Sequence, residues 1–369
     1  MRIVVNDIAA SGGGGGRALL ESFHRYVRDV DENNEWVFLL GSDLLDEAAH
    51  IRTIVLSKVK NNWLKRLGFD LVSGRRLIRS LRPDVVFSMQ NTYTYGLQCP
   101  QVVYVNQALP FQKSRVNFSL LRRDERFLAI HQHIIGAIIK QSIRRADHVI
   151  VQTQWMRDAI LEEAGIASER VVMVRPDLDD LSAYKFQGTL DPGAFFYATS
   201  SYSYKNNDCI YAACRLLREQ GVVDFKVTMT IEATSPEPNV IPIGRVPREQ
   251  VLEGLSRSTL IFPSLIETYG LPLAEARALD ALVLAADLPY AREVLDGYPN
   301  AYYFDPSLPN QLASLMRKVI TGNIARSPVP HDGEVTGRTA GTAAWARVVE
   351  VLEGCARRRT WMNRTFVDQ

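Results

Sequence analysis

A chain of 369 residues, 46% hydrophobic and 23% charged, has the composition of a globular protein and the length of about two domains, which excludes disordered and fibrous classes. Its formal net charge of +2 does not mark the whole chain as a nucleic-acid binder, and no uninterrupted apolar run approaches the roughly 18 residues of a membrane-spanning helix. Four cysteines, Cys99, Cys209, Cys214 and Cys355, lack C-x-x-C spacing and read as core thiols of a reducing compartment, so a cytoplasmic protein is expected.

The chain opens with a strand-like R-I-V-V-N and then S-G-G-G-G-G-R-A-L-L, Ser11 to Leu20, at a strand-to-helix turn. A glycine loop feeding a helix N-terminus binds phosphate, because bare N–H groups and the positive end of the helix dipole converge there. The dinucleotide fingerprint fits only loosely. Counted from Gly12 its third position falls on Arg17, counted from Gly13 on Ala18, and the acid expected about 20 residues on comes late, at Asp43. No G-K-[ST] follows, and a merely flexible turn stays open.

After a helical pattern from Ala18 to Arg28 come W-V-F-L-L and T-I-V-L, then a strongly basic stretch. From Lys58 to Arg82 the cations include Lys65, Arg66, Arg75, Arg76 and Arg79, against the single acid Asp70, and Trp63, Leu67, Phe69 and Leu77 are interleaved with them. Such a basic amphipathic face suits an anionic membrane surface; a solvated helix packed on a sheet is the alternative. Nucleic acid is not expected as a partner, since no recognisable binding module accompanies the patch.

The runs D-V-V-F-S and Q-V-V-Y-V-N follow, then a long amphipathic stretch from Leu120 to Arg145, H-V-I-V-Q-T, a helix from Trp155 to Glu163, and V-V-M-V-R-P. Short runs apolar on both faces and joined through helices predict parallel sheets covered on each side. The cycle restarts with A-F-F-Y-A-T-S, a helix from Asn207, K-V-T-M-T-I, Arg248 to Ser256, T-L-I-F-P-S, a helix from Leu271, and L-V-L-A-A. The expected organisation is therefore α/β, with one domain over 1–178 and a second over 179–341, divided where Pro176, Asp177, Asp179 and Asp180 interrupt the pattern. Residues 321 to 341 read as loop. A closing helix over 342–369, with an apolar stripe of Trp345, Val348, Val349 and Leu352, is expected to dock on the first domain.

The most specific signal is F-P-S-L-I-E-T-Y-G-L-P-L-A-E, in which Glu267 and Glu275 lie eight positions apart around Gly-Leu-Pro. Pro272 fits the first turn of a helix, so Glu267 belongs to the loop before it and Glu275 lies one turn inside. Carboxylates accept strong hydrogen bonds from sugar hydroxyls, and a helix N-terminus suits a diphosphate. Acids placed at a helix start by the dipole alone would explain Glu275, though not the loop phrase. Metal sites are not expected: the D-x-D strings Asp29 to Asp31 and Asp177 to Asp179 fall in a helical pattern and in the linker, and His131 and His133 point to opposite sides of a helix.

These motifs resemble retaining glycosyltransferases of family 4, whose architecture is GT-B, two Rossmann-like α/β domains facing a cleft. The resemblance rests on E-T-Y-G-L-P-L-A-E, on Y-K-N-N at Tyr204 to Asn207, on I-G-R-V at Ile243 to Val246 and on A-D-H-V-I-V-Q-T-Q-W-M, and it covers essentially the whole chain. It implies that Glu267 touches the donor sugar, that Thr268, Tyr269, Gly270 and Leu271 offer N–H groups to sugar and diphosphate, and that Glu275 holds the ribose. By the same resemblance Lys205 neutralises the leaving diphosphate, the base lies near Gly244, Arg245 and Val246, and Gly14, Gly15 and Gly16 let donor and acceptor approach the first domain. Two positions depart from the family pattern: Ser200 stands where an Arg is usual, five residues before Lys205, and Asn106 where many members have a His.

Longer phrases, among them V-N-D-I-A-A-S-G-G, W-L-K-R-L-G-F-D-L-V-S-G-R and N-Q-A-L-P-F-Q-K, look like those of capsular polysaccharide rhamnosyltransferases of Gram-positive bacteria. That resemblance implies a dTDP-rhamnose donor, a lipid-diphosphate-linked saccharide acceptor, no cofactor or metal, and a peripheral place at the inner face of the cell membrane. Another UDP- or GDP-hexose donor, a GT-B-like sugar-nucleotide epimerase and a non-catalytic nucleotide-sugar-binding protein remain the alternatives.

Overall fold

In the computed structural model the described residues are 1–10, 15–60, 62–112, 116–123, 125–188, 190–232, 235–329 and 342–365. The chain divides into two units, Met1–Asp177 with Gly341–Gln369, and Leu178–Ala340.

Unit 1 carries seven parallel strands: β1 (Arg2–Asp7), β2 (Glu35–Leu40), β3 (Ile51–Val55), β4 (Val85–Ser88), β5 (Gln101–Tyr104), β6 (His148–Val151) and β7 (Val171–Met173). They lie in the order β3-β2-β1-β4-β5-β6-β7. Unit 2 repeats the scheme with β8 (Ala194–Tyr197), β9 (Lys226–Met229), β10 (Val240–Pro242), β11 (Thr259–Phe262), β12 (Val283–Ala286) and β13 (Ala301–Phe304), ordered β10-β9-β8-β11-β12-β13. Both are the doubly wound order in which the chain starts mid-sheet, runs to one edge and then reverses. The reversal falls between β1 and β4 in one sheet and between β8 and β11 in the other, and ligands of such folds bind beyond the carboxyl ends of the strands at that point. Residues on both faces of β4, β8, β11 and β12 are buried, as a sheet covered by helices on each side requires.

The closing helix Ala343–Thr365 packs on unit 1. Trp345, Val348 and Leu352 join Phe23, Trp36 and Phe87 in its larger core cluster, Trp345 Nε1 donates to Ser22 Oγ at 2.9 Å, and the Ala344 N–H donates to Asp177 Oδ2 at 2.7 Å. Among the described residues no helix is long and apolar enough to cross a membrane, and all four cysteines are free thiols.

Several local expectations are corrected. The amphipathic stretch expected from Leu120 becomes helical only at Arg126; Ser119 accepts from the Leu121 N–H and holds the preceding residues in a turn. From Arg126 to Arg145 the helix is continuous but passes through a π-helical turn at Ile130–Ile135. The basic stretch has the same construction, Trp63–Gly68, a π-turn at Phe69–Ser73, then Gly74–Ser80. Asp31 lies beyond the first helix, which ends at Asp29, and its carboxylate accepts from Asn34 Nδ2 at 2.9 Å. Residues 287–320, unassigned from the pattern, supply Pro289–Val294, the edge strand β13 and Pro309–Ile320.

Candidate active site

The loop after β8 ends in a 3-10 turn, Ser203–Lys205, followed by Asn206 in the left-handed region at φ 57°. Asparagine tolerates that conformation better than most side chains. Asn206 Nδ2 donates to the carbonyls of Pro263, at 3.3 Å, and Pro306, at 2.9 Å, and the Leu265 N–H donates to Tyr204 O at 2.7 Å. The loop after β8 is thus tied to the loop after its neighbour β11, across the point where strand order reverses. Tyr197, fully buried at the end of β8, donates its hydroxyl to Lys205 O at 2.9 Å and fixes the turn from below.

This arrangement brings Lys205 and Glu267 together. Lys205 Nζ lies 2.5 Å from Glu267 Oε1, and both side chains are largely buried. Burial alone would pull the ammonium down, but the Glu267 charge, the Tyr197 phenol and the hydrogen bond to Glu267 hold Lys205 above its ordinary value. It therefore carries a full positive charge at neutral pH. Beside it Tyr202 stacks on Tyr204, ring centroids 5.5 Å apart and planes 10° from parallel, with Lys205 Nζ 5.5 Å from the Tyr204 ring centre.

After Glu267 the chain runs through Thr268 and Tyr269 to Gly270, which caps the helix Leu271–Ala278 at φ 85° and ψ 64°. A side chain there would be strained, so glycine is required for the turn. Leu271 and Pro272 open the helix, and the Leu273 N–H closes its first turn on Gly270 O at 2.8 Å. Glu275 is buried one turn inside, 3% exposed, with Arg248 Nη1 2.7 Å from its Oε1. Burial pushes the Glu275 carboxyl up, the Arg248 charge and hydrogen bond pull it back, and Asp179 adds to the rise, leaving it above ordinary glutamate. Arg248, at the start of the helix Arg248–Arg257, also lies 3.8 Å from Asp179. The partner of Glu275 is not visible from sequence spacing, since Arg248 comes from a different helix.

Arg245 is exposed and Val246 half-buried in the loop after β10, where Gly244 takes φ 69° and donates its N–H to Ile231 O at 2.9 Å. Ser200 is held at its backbone, its carbonyl accepting from Asn207 Nδ2 at 2.9 Å.

In unit 1, Gly14 lies outside the described residues. Gly15 and Gly16 form the first two positions of the helix Gly15–Asp29 rather than a loop, and a Cβ built on Gly16 meets nothing within 4 Å. Asn106 follows β5 and is engaged by its own unit: Asn91 Nδ2 donates to its Oδ1 at 2.8 Å, its N–H donates to Asn91 Oδ1 at 2.7 Å and its Nδ2 to Met89 O at 3.2 Å. Around it, at the strand reversal, stand groups that spacing did not single out as a site. Asp70 accepts from Thr92 Oγ1 at 2.6 Å, from Gln90 Nε2 at 3.1 Å and from Asn6 Nδ2 at 3.3 Å, and burial pushes its carboxyl up to about 6. Asp7, at the end of β1, is pushed by burial up to about 7. Gln90 Oε1 accepts the Ala9 N–H at 3.2 Å, tying the end of β4 to the start of the glycine segment.

Of the basic face, Lys65, Arg75, Arg76 and Arg79 are exposed and Arg66 is half-buried. Arg79 Nη2 donates to the Gly96 carbonyl, and the Arg75 stem lies close against Gly96.

Residues 14–179 match the family described as Glycosyltransferase Family 4, and residues 194–329 match Glycosyl transferases group 1. Among curated proteins, the O-antigen chain mannosyltransferase RfbU of Salmonella typhimurium is 20% identical over 292 residues, 71% of this chain and 80% of that protein. Among solved structures, WaaG, a glycosyltransferase involved in lipopolysaccharide biosynthesis, superposes with TM-score 0.67 at 13% identity, covering 95% of this chain and 100% of WaaG. HepE from Anabaena, in complex with UDP and glucose, gives TM-score 0.66 at 16% identity over 95% of this chain and 99% of HepE. With one family matching most of unit 1 and the other most of unit 2, both sheets in the doubly wound order and the E-T-Y-G-L-P-L-A-E loop at the strand reversal, the chain is a GT-B glycosyltransferase of the group 1 and family 4 kind.

Proposed function

We propose that the chain is a retaining, metal-independent glycosyltransferase. It moves L-rhamnose from dTDP-rhamnose to a lipid-diphosphate-linked saccharide in capsular or cell-envelope polysaccharide synthesis, working as a peripheral protein at the cytoplasmic face of the membrane. The observation that carries the transfer reading is the Lys205–Glu267 pair at 2.5 Å, set at the strand reversal of unit 2 beside the Gly270 helix start.

The chemistry follows from that pair. As the bond from the anomeric carbon to the diphosphate oxygen breaks, negative charge grows on the diphosphate. Lys205, held protonated, is preorganised to meet it, with the positive end of the Leu271 helix dipole beside it. Glu267 accepts hydrogen bonds from the donor sugar and orients it, and Glu275 holds the ribose hydroxyls from inside the helix. The acceptor oxygen bonds to the anomeric carbon on the face the diphosphate leaves. Its proton passes to the departing phosphate oxygen, so positioning and leaving-group stabilisation suffice without a strong protein base. Such a scheme also accommodates an amide at position 106, whose polar atoms are already hydrogen-bonded within unit 1.

Support for a nucleotide-sugar donor comes from HepE, crystallised with UDP and glucose, and for envelope polysaccharide from RfbU and WaaG, whose descriptions name O-antigen and lipopolysaccharide. The rhamnosyl donor rests on the sequence phrases alone, and RfbU is described as a mannosyltransferase. The inner-membrane location rests on the exposed cations Lys65, Arg75, Arg76 and Arg79 with half-buried Arg66. Hydrolysis rates over a panel of dTDP-, UDP- and GDP-sugars test the donor. dTDP-rhamnose is expected to turn over fastest, and preference for another nucleotide sugar overturns that assignment while keeping the transferase. Glu267→Gln retaining full turnover would overturn the placement of the sugar.

A further inference from the structure

Two stretches of unit 1 expose apolar side chains in an unusual concentration. Among the described residues, seven of the eleven exposed large apolar side chains of unit 1 lie in residues 63–80 and 119–135. Leu121 is 92% exposed, and Phe127, Ile134, Leu64 and Val72 are 56%, 45%, 55% and 61% exposed. Isolated exposed apolar residues are ordinary on a protein surface; clustering on adjoining elements is not.

The helix from Arg126 to Arg145 explains the pattern. Its inner stripe, Leu128, Ile139 and Ile143, is buried. A second apolar stripe at Phe127, Ile130, Ile134 and Ile138 follows the i, i+3, i+7, i+11 spacing of one helix face, with Phe127 and Ile134 exposed and the other two half-buried. This helix is therefore apolar on two sides; it packs against the helix Gln154–Ala164 and the Leu109–Phe111 turn, and Phe127 and Ile134 of the outer stripe stay exposed. The turn leading into it presents Leu121 at its tip, between Leu120 and the exposed Arg122 and Arg123. The Arg66 charge bears on His131, which sets the basic stretch beside this helix.

Charge decides what covers such a surface. Lys65, Arg76, Arg122, Arg123 and Arg126 are exposed around the apolar residues. The acids in these two stretches are Asp70, which is buried, Glu125, which is half-buried and paired with Arg122 at 2.9 Å, and Asp124, which lies outside the described residues. An apolar centre rimmed by cations is the signature of an interface with anionic lipid, in which apolar side chains enter the acyl boundary and guanidinium groups stay with the headgroups.

We propose that the turn at Leu121 and the outer stripe at Phe127 and Ile134 form a wedge that inserts into an anionic membrane, with Leu64 and Val72 of the basic stretch beside it. The insertion adds an apolar anchor to the electrostatic contact of the basic face and sets the depth and orientation of unit 1 on the lipid. It deepens the membrane location proposed above but does not depend on which sugar is transferred.

The test uses the full chain and vesicles of phosphatidylcholine with or without phosphatidylglycerol. A fluorophore on Leu121→Cys is expected to shift to the blue on anionic vesicles and to be quenched by lipids brominated on the acyl chain. Leu121→Ser with Phe127→Ser is expected to weaken partition by about 10- to 100-fold, the loss of two inserted apolar side chains. It leaves binding that added salt abolishes, whereas the parent retains part of its binding at high salt. A probe that stays water-exposed while the protein is bound, or a double variant that partitions like the parent, overturns the proposal. So does a parent that is dimeric, ignores vesicles and becomes monomeric on the double substitution, since the face is then a contact between copies of the chain. Hydrolysis of soluble nucleotide sugar by both proteins is read in parallel. Its absence with vesicle insertion intact sinks the transferase reading alone, and its presence without insertion sinks this proposal alone.

Discussion

The two sheets share one strand order, yet the groups at their reversal points are of opposite kinds. In unit 2 stand charged pairs, Lys205 with Glu267 on the turns after β8 and β11, and Arg248 with Glu275 in the first turns of two helices. At the ends of β1, β4 and β5 stand amides and hydroxyls, Asn6, Gln90 and Thr92 bonded to the buried carboxyl of Asp70, and Asn91 bonded to Asn106. A site that meets a leaving diphosphate needs fixed charge. One that orients neutral sugar hydroxyls needs directional donors and acceptors held in place by one another. The same fold therefore carries two kinds of group at its reversal points, set by the residues at the strand ends and in the loops and helices that follow.

The largest expected effect tests the charged side. Lys205→Ala removes the cation proposed to meet the leaving group, and Glu267→Gln removes the carboxylate paired with it. Each is expected to lower kcat by about 100- to 1,000-fold, roughly 3–4 kcal/mol of transition-state stabilisation, while far-UV circular dichroism stays unchanged. Single-turnover transfer at saturating donor measures it. A loss confined to KM would mean that the pair binds the ground state and transition state alike.

Next comes a pH effect on the neutral side. The Asp7 carboxyl is raised from 3.8 to about 7 in the folded chain. Its stabilising contribution is thus complete below the unfolded value and is lost as pH rises through about 7, at most about 4 kcal/mol for a shift of roughly three units. Asp7→Asn lacks this titration, so its stability relative to the parent is expected to rise by about 2–4 kcal/mol from pH 4 to pH 7 and to level off above. The chain's five tryptophans, Trp36, Trp63, Trp155, Trp345 and Trp361, all lie in unit 1, so denaturant unfolding followed by tryptophan fluorescence reads this unit selectively. A flat difference across that range would place Asp7 in contact with water.

Arg248→Ala probes the second charged pair. It leaves the buried Glu275 carboxylate without its cation, and a cost of about 1–2 kcal/mol to unit 2 is expected. That is less than for a fully buried pair, because the Arg248 side chain is 43% exposed. Calorimetric titration with a nucleoside diphosphate tells whether the arginine also shapes the ribose site. Unchanged affinity confines it to holding Glu275.

How much of this was legible in the sequence depends on where the partners come from. Glu267, Gly270 and Glu275 lie in one contiguous phrase, and the spacing around Pro272 places them correctly on a loop and a helix. Arg248 was passed over because its partner Glu275 is chosen by tertiary packing. Asp70 looked like a lone acid on a basic face, but the π-turn at Phe69–Ser73 carries it inward to Thr92 and Gln90. The strand A-Y-Y-F was missed because four residues between Pro-Asn and Asp-Pro carry no alternation by which to recognise a sheet edge. The glycine run read as a loop, whereas its last two residues continue as helix.

Asn106 gives the smallest expected effect and the sharpest test of the contrast. Its Oδ1 and Nδ2 are both hydrogen-bonded to protein, and Asn91, which clasps it, sits at φ 68° and is held there by the reciprocal pair. Such an amide fixes the loops after β4 and β5, and its second N–H and second lone pair are what it has left for a substrate hydroxyl. Asn106→Asp keeps the shape but repels the Met89 carbonyl, and is expected to cost about 1 kcal/mol of unit 1 stability and less than a tenfold loss in transfer. A loss of a hundredfold with stability intact would put Asn106 on the substrate, and the polar side of the molecule would then take part in the chemistry and not only in orienting it.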